Sequence, residues 1–141
     1  MEILKIKTEK RRTGDLGERA AARFLRWHGF KILERNYVAP GSEIDIIASD
    51  RQHVIFVEVK TRSIGTENPK EPRPASAVTP EKQRKIINAA SYYKAYHPSN
   101  KKMRMDIIEV YVESRGSKQK VKKINHMIGA YDRSSYKVYR I

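Results

Sequence analysis

A carboxylate and a lysine stand two positions apart at the end of the most apolar stretch of the chain. Residues 54–57 are all apolar, and Glu58 and Lys60 follow them. A continuous apolar run of this kind predicts a strand that is buried on both faces. Because side chains alternate between the faces of a strand, Glu58 and Lys60 are expected to point the same way. The two charges should therefore lie side by side where a buried strand ends.

A second acid is expected at the same place. Asp45 lies inside the apolar segment 41–48, which the turn-like residues 49–52 connect to the next strand. So short a connection predicts a hairpin, with Asp45 and Glu58 on adjacent antiparallel strands. Two carboxylates can hold a hard cation such as Mg²⁺, and a lysine can orient or activate water beside it, which together predict phosphodiester hydrolysis. A simple ion pair between Glu58 and Lys60 is the alternative.

The composition favours a polyanionic partner. The chain of 141 residues has a formal net charge of +14, and residues 115–141 alone hold eight Lys or Arg and one Asp. Such an excess points most simply to nucleic acid, but it suits a nuclease, an RNA-binding module and a ribosome-associated protein equally well. The chain has no cysteine and its four histidines are scattered, so any metal is expected to be held mainly by oxygen.

The length predicts one domain with a hydrophobic core. No apolar run approaches the length of a membrane span, and the first residues do not resemble a signal peptide. We therefore expect a cytoplasmic protein with no membrane partner. The chain divides into a basic N-terminal arm at 1–13, a single domain at 14–130 and a basic, tyrosine-containing tail at 131–141.

The elements that must position the charged residues follow the order α-β-β-β-α-β-β. Apolar residues at helical spacing predict a first helix from Thr13 or Gly14 to His28, after an extended or frayed arm. Thr79 before Pro80 predicts the start of a second helix, which ends near Tyr96. Strands are predicted at 30–38, 41–48, 53–60, 103–113 and 121–128, with a polar turn at 114–120.

A third acid, Glu18, lies near the start of the first helix. At helical spacing it falls at the edge of the apolar face, whereas Arg19, Arg23 and Arg26 gather on another side. From this position Glu18 could face a site formed by the sheet. The alternative is an ordinary carboxylate near a helix N-terminus, where the helix dipole favours negative charge.

Residues near predicted loops and helix starts are candidates for holding phosphate. The start of the second helix is basic, and the long loop at 62–79 is of a kind that often has a function. The alternatives are an ordinary solvated face for the helix start, plain disorder for the loop, and an edge strand that packs its tyrosines on the domain for the end of the chain. The candidates are Arg62, Lys82, Gln83, Arg84, Lys120, Lys122, Lys123 and Arg133.

An ordered set of motifs resembles the YraN family of small bacterial proteins, within the PD-(D/E)XK nuclease superfamily that includes Holliday junction resolvases. The resemblance covers about residues 14 to 130. The motifs are Gly17-Glu18-Arg19-Ala20-Ala21, His28-Gly29-Phe30, Arg35-Asn36-Tyr37, Glu43-Ile44-Asp45-Ile46-Ile47-Ala48, Phe56-Val57-Glu58-Val59-Lys60-Thr61-Arg62, Val78-Thr79, Lys82-Gln83-Arg84, Arg104-Met105-Asp106 and Ile124-Asn125-His126.

The resemblance implies a restriction-endonuclease-like α/β core, in which a central mixed sheet of about five strands is flanked by two main helices. The metal ligands of the superfamily fall on Asp45 and Glu58, with the main-chain carbonyl of Val59 as a third ligand. Its catalytic lysine falls on Lys60, and the first-helix acid of resolvase-like members falls on Glu18. All four side chains are therefore expected to be catalytic.

The resemblance also implies Mg²⁺ or Mn²⁺ as the cofactor and DNA as the partner. Gln83 matches a polar residue that some members bring to the site from the second helix. Resolvase-like enzymes usually act as dimers, which leaves a homodimer open for this chain.

These expectations converge on a metal-dependent endonuclease that hydrolyses DNA phosphodiester bonds, including those of branched or irregular structures. The alternative is a nucleic-acid-binding or complex-assembly protein that keeps the nuclease fold without catalysis, because a fold does not determine a function. A ribosome-associated basic protein rests on charge alone.

Overall fold

The chain forms a five-stranded mixed sheet with one helix packed on each face, as a computed structural model shows for residues 2–65 and 78–132, with side chains from residue 9 onward. The predicted α/β class and the predicted order of elements are confirmed. Among the described residues, no helix is both long and apolar enough to cross a membrane. The elements are α1 (Glu2–Trp27), β1 (Lys31–Ala39), β2 (Ser42–Ser49), β3 (His53–Ser63), α2 (Pro80–Tyr96), β4 (Lys102–Arg115) and β5 (Lys118–Tyr131).

The strands lie in the sheet in sequence order, from β1 at one edge to β5 at the other. Three of the four neighbouring pairs are antiparallel, and only β3 and β4 run parallel. A parallel pair needs a crossover connection, which contains α2. This arrangement puts β3, the strand with the acid–lysine pair, at the centre of the sheet.

The continuous apolar run of β3 is explained by a hydrophobic core on each side of it. Val54 and Phe56 pack towards α2, whereas Ile55 and Val57 pack towards α1. All four side chains are buried. The prediction of a central strand that is covered on both faces is therefore confirmed.

The first helix begins at Glu2, so the prediction of an extended arm before Thr13 or Gly14 is wrong. No proline or glycine precedes Gly14, and the Thr13 hydroxyl donates to the carbonyl of Glu9, one turn earlier, instead of capping a new helix. Contacts from the β4–β5 turn also hold this part of α1, since Gln119 donates to the Thr13 hydroxyl and Arg12 to the carbonyl of Ser117.

The second helix begins as predicted. Thr79 is its N-cap and accepts a hydrogen bond from the backbone N–H of Lys82 at 3.1 Å, while Pro80 takes the first helical position. Both features lower the cost of leaving the first N–H groups without helical partners. The helix packs against β2, and Lys82 in its first turn acts electrostatically on Asp45 of that strand.

The last two strands are longer than predicted. They extend into the expected turn at 114–120 and are joined through Gly116, whose φ of 60° suits a tight hairpin. At the other end of β5, Tyr131 is buried and pairs with Met105, so it belongs to the sheet rather than to the predicted tail.

Candidate active site

The structure brings Asp45, Glu58 and Lys60 together where the β2–β3 ladder ends. Ile46 and Val57 form the last pair of that ladder, and the two acids are the next residues of their strands. Val59 donates its backbone N–H to Asp45 Oδ2 at 2.8 Å, which fixes this carboxylate between the strands. The Lys60 ammonium lies 3.6 Å from Glu58 Oε1. The predicted hairpin and the predicted shared face of Glu58 and Lys60 are therefore both observed.

The Glu58 carboxyl is held in an environment that disfavours its charge. Only 8% of the residue is exposed. Burial, followed by the negative charge of Asp45, raises the pKa of Glu58 to about 7, although Lys60 and Lys82 act in the opposite direction. A carboxyl with this pKa is half protonated near neutral pH, and a second positive charge beside it would drive it to the ionised form.

Opposing effects also act on the pKa of Asp45, and the resulting rise is smaller. Burial raises its pKa above the ordinary value, and Glu43 adds to this rise. The hydrogen bond from Val59 and the charges of Lys82 and Lys60 oppose it. Half-buried Asp45 and buried Glu58 therefore form an acidic pair whose charge the neighbouring lysines only partly compensate.

Glu18 reaches this pair because α1 lies unusually close to β3. A β-carbon at Gly17 would lie 1.9 Å from Thr61 Oγ1, so only glycine permits this approach. The pKa of Glu18 is raised by burial and then by the charge of Asp45. Arg35 lies 4.0 Å away and lowers it. The helix acid expected from the sequence is therefore close enough to Asp45 to interact with it.

Residues at the start of α2 take different positions from one another. Lys82 is half-buried and its charge acts on both Asp45 and Glu58, so it belongs to the acidic site and not only to the surface. Gln83 has no exposed surface, and its amide donates to the carbonyl of Val78 at 2.8 Å, while its Oε1 has no hydrogen-bond partner among the described residues. A nucleic-acid contact by Gln83 stays a prediction. Arg84 is exposed as predicted.

A polar row beside Lys60 was missed by the sequence analysis. Glu109 of β4 is the ladder partner of Lys60, and Asn125 of β5 is the partner of Glu109. Glu109 is almost fully buried and accepts hydrogen bonds from the Tyr111 hydroxyl and, at 2.8 Å, from Asn125 Nδ2. An acid in the middle of an otherwise apolar strand was the signal for this row, but its partners depend on the β4–β5 register.

The next row along the same face is basic and aromatic. Arg62 pairs with Tyr111, which pairs with Lys123. The Lys123 ammonium lies 5.7 Å from the centre of the Tyr111 ring, in cation–π contact. Lys120 and Lys122 are exposed on the same strand as Lys123. These candidates for phosphate contact therefore lie on β3 and β5, and Arg133 lies outside the described residues.

Tyr131 is a second residue that the sequence did not assign to the site. Its side chain is buried, and its hydroxyl has no hydrogen-bond partner among the described residues. Burial raises its pKa, and the charges of Glu58, Asp106 and Asp45 raise it further. The hydroxyl therefore lies within the electrostatic field of the acidic pair.

The donor set suits a hard divalent cation. Magnesium in proteins commonly uses one or two carboxylates and completes its shell with water and substrate oxygens. Asp45 and Glu58 meet this pattern as a pair, and within the described residues no group of three or more His, Asp or Glu is arranged so that it could hold a metal ion. The main-chain carbonyl of Val59 as a third ligand stays a prediction.

Comparison with known proteins places residues 17–110 within a family model described as an uncharacterised protein family, UPF0102. A UPF0102 protein of Clostridioides difficile is 43% identical over 119 residues, covering 84% of this chain and 95% of the relative. One from Caldanaerobacter subterraneus is 38% identical over 131 residues, covering 89% and 98%. A third, from Chlorobium phaeobacteroides, is 46% identical over 98 residues, covering 69% and 75%. These names state no activity.

Proposed function

We propose that this chain, which belongs to the uncharacterised protein family UPF0102, the YraN family, is a metal-dependent endonuclease that hydrolyses phosphodiester bonds in DNA. The observation that carries the proposal is the pair of half-buried Asp45 and buried Glu58, with Lys60 beside it. A structural scaffold gains little from holding two carboxylates together away from water, because each disfavours the charge of the other. A cation site gains from the same arrangement, because two carboxylates attract a cation.

Asp45 and Glu58 would hold Mg²⁺ or Mn²⁺ through their carboxylate oxygens. When bound, the ion supplies a positive charge that stabilises the developing negative charge of the phosphate and makes water a stronger nucleophile. The hydrogen bond from Val59 keeps Asp45 in a single orientation, so the pair is preorganised for this role.

Lys60 and Glu18 would position the attacking water. The Lys60 ammonium is next to Glu58, so it can donate a hydrogen bond to a water at the same carboxylate and stabilise its deprotonated form. Glu18, which interacts with Asp45, would accept a hydrogen bond from that water or support a second ion. Lys82 adds positive charge near the phosphate.

The DNA backbone would lie along the basic row of β3 and β5. Arg62 and Lys123 flank Tyr111 on the face that carries Glu58 and Lys60, so a strand bound there would pass the acidic pair. Lysines and arginines that neutralise phosphates release counterions, so DNA affinity should fall steeply as salt rises. We also propose that the protein acts in the cytoplasm, and as a homodimer where two strands are cut.

Cleavage of a labelled panel of DNA tests the proposal. Linear duplex, single strand, flap and four-way junction are incubated with Mg²⁺, Mn²⁺ or EDTA and with wild type, Asp45→Asn or Lys60→Met. Glu81→Gln and Lys85→Met are matched controls, because this exposed pair on α2 has the same charges and a similar 3.7 Å separation. We expect metal-dependent cutting that falls at least ~100-fold in the two site variants and is unchanged in the controls.

The same assay separates the proposal from its alternative. If wild type and all variants bind the panel with salt-sensitive affinity but none cuts any member with either metal, the protein is a non-catalytic nucleic-acid-binding protein. If Asp45→Asn cuts as fast as wild type, the site assignment is wrong.

A further inference from the structure

An apolar groove between α1 and β5 carries the single tryptophan of the chain. The groove encloses about 640 Å³, and Leu16, Phe24, Val121 and Ile124 supply its apolar lining. Trp27 also lines it and is 87% exposed. A tryptophan adds more apolar surface than almost any other side chain, so leaving it in water at a groove suggests that a ligand covers it.

The charge around this groove is positive. Arg19 and Arg23 line it together with Trp27, and none of its lining residues is acidic. An indole face can stack on a planar aromatic ring, and the neighbouring guanidinium groups can bind an anionic group that is attached to that ring. A nucleotide has both parts, because its base stacks and its phosphate pairs with arginine.

The groove lies next to the space in front of Glu18. A neighbouring cavity of about 480 Å³ is lined by Glu18 and Arg35 and shares Leu16 and Arg19 with the tryptophan groove. The two cavities are therefore neighbours along α1. This arrangement places the groove on the same helix as Glu18.

We infer that the groove binds an unpaired nucleotide of the nucleic acid, with its base stacked on Trp27 and its phosphate held by Arg19 and Arg23. The inference rests on the proposed function for the nature of the partner, but it uses none of the catalytic side chains. A second copy of the chain is the less favourable occupant, because it would bring another surface of a molecule with a net charge of +14 against the two arginines.

Tryptophan fluorescence tests this inference directly, since all tryptophan emission comes from Trp27. The protein is titrated in EDTA with a short oligothymidylate and, separately, with a blunt duplex of equal length. We expect the oligothymidylate to quench the emission saturably and the duplex to quench it much less, because only unpaired bases can stack on the indole.

Variants give a second readout through the anisotropy of a labelled oligothymidylate. Trp27→Leu should weaken its binding by about 5- to 100-fold and change duplex binding less than twofold. The double variant with Arg19→Gln and Arg23→Gln should lose both affinity and quenching. Arg26→Gln is the matched control for charge, since Arg26 is exposed on the same helix but does not line the groove.

The outcomes distinguish this inference from the proposed function. If oligothymidylate quenches the emission but no substrate is cleaved, nucleotide binding in the groove is supported and the proposed nuclease activity is wrong. If the protein cleaves DNA but oligothymidylate does not change its emission, or if Trp27→Leu binds oligothymidylate as tightly as wild type, nucleotide binding in the groove is wrong and the proposed nuclease activity stands. If the emission changes with protein concentration alone and sedimentation detects dimers, the groove binds a second copy of the chain, and the inferred nucleotide binding is wrong.

Discussion

Two buried carboxylates of this protein, Asp106 and Glu58, have opposite relations to their surroundings. Burial raises the pKa of Asp106, but hydrogen bonds from His126, Arg104 and Gly129 outweigh burial and hold that pKa below its ordinary value. The donors lie 2.7–2.9 Å from its two oxygens. Four donated hydrogen bonds satisfy this carboxylate, so it remains ionised inside the protein.

Glu58 is nearly as buried but is not satisfied in this way. Its nearest cation is Lys60 at 3.6 Å, and the carboxylate of Asp45 opposes its ionisation. Burial alone therefore does not distinguish a carboxylate whose hydrogen bonds are satisfied from one whose charge is left uncompensated. The satisfied carboxylate joins β4 to β5, whereas the unsatisfied one is suited to receive a cation.

The largest expected effect on stability comes from removing the charge of Asp106, whose oxygens accept four hydrogen bonds. Asp106→Asn should destabilise the protein by roughly 3 kcal/mol or more, because the largely buried Arg104 guanidinium loses the carboxylate that it contacts at 2.8 Å and keeps only that of Asp50, at 3.8 Å. Urea unfolding measured without metal gives this value. A loss below about 1 kcal/mol would mean that the cluster is not a stabilising unit.

The substitution Glu58→Gln should instead stabilise the folded protein. At pH 8 and without divalent metal, we expect a gain in the free energy of unfolding of roughly 1–3 kcal/mol. The folded pKa of Glu58 is about 7, above the ordinary value of 4.5, so between these pH values the folded state retains a proton that the unfolded state has lost, and at pH 8 it holds a carboxylate that its surroundings disfavour. The Glu58 contribution to stability is therefore fully present below pH 4.5 and is lost as pH rises through 7.

The pH profile supplies the control for that variant. Wild type should lose stability relative to Glu58→Gln between pH 4.5 and about pH 7, and the difference should then level off. A constant difference at all pH values would indicate a packing effect instead of a titrating carboxyl.

The smallest effect is expected from the lysine at the edge of the site. Lys82→Met removes a charge that lowers the pKa of both acids, so the Glu58 titration should move to higher pH. Its midpoint can be followed by NMR of the glutamate side-chain carboxyl carbons. Arg84→Met is the matched control, because Arg84 is an exposed basic residue of the same helix turn, whereas Lys82 is half-buried. Equal shifts in both variants would show a general surface-charge effect.

Local sequence patterns were sufficient for the centre of the site. The apolar run before Glu58 predicted a strand covered on both faces, and alternation along it placed Lys60 beside Glu58. The short connection at 49–52 predicted the hairpin that brings Asp45 to the same end. These features depend on residues that are close in the chain, so a single sequence contains the information.

The remaining features depend on contacts between distant segments. Glu109 lies beside Lys60 through the parallel β3–β4 register, and Tyr131 reaches the acids through the far end of β5. Gln83 resembles a surface residue at a helix start, but the packing of α2 on the sheet buries it. Neither register nor packing angle can be read from composition or periodicity.

The early start of α1 has the same cause. Residues before Gly14 show no sustained apolar pattern, so periodicity predicted an arm. Contacts of Arg12 and Thr13 with the β4–β5 turn support the helix there. Helix propensity is a weak guide where tertiary contacts of this kind exist.

Binding of Mn²⁺, followed by electron paramagnetic resonance at pH 8, tests most directly whether Asp45 and Glu58 form a cation site. Wild type, Asp45→Asn and Glu58→Gln are compared, with Glu81→Gln as the matched control because Glu81 is an exposed acid of α2. We predict a Mn²⁺ site that Mg²⁺ displaces in wild type and in the control, and that is lost in both site variants. Equal Mn²⁺ binding by all four proteins would contradict the account.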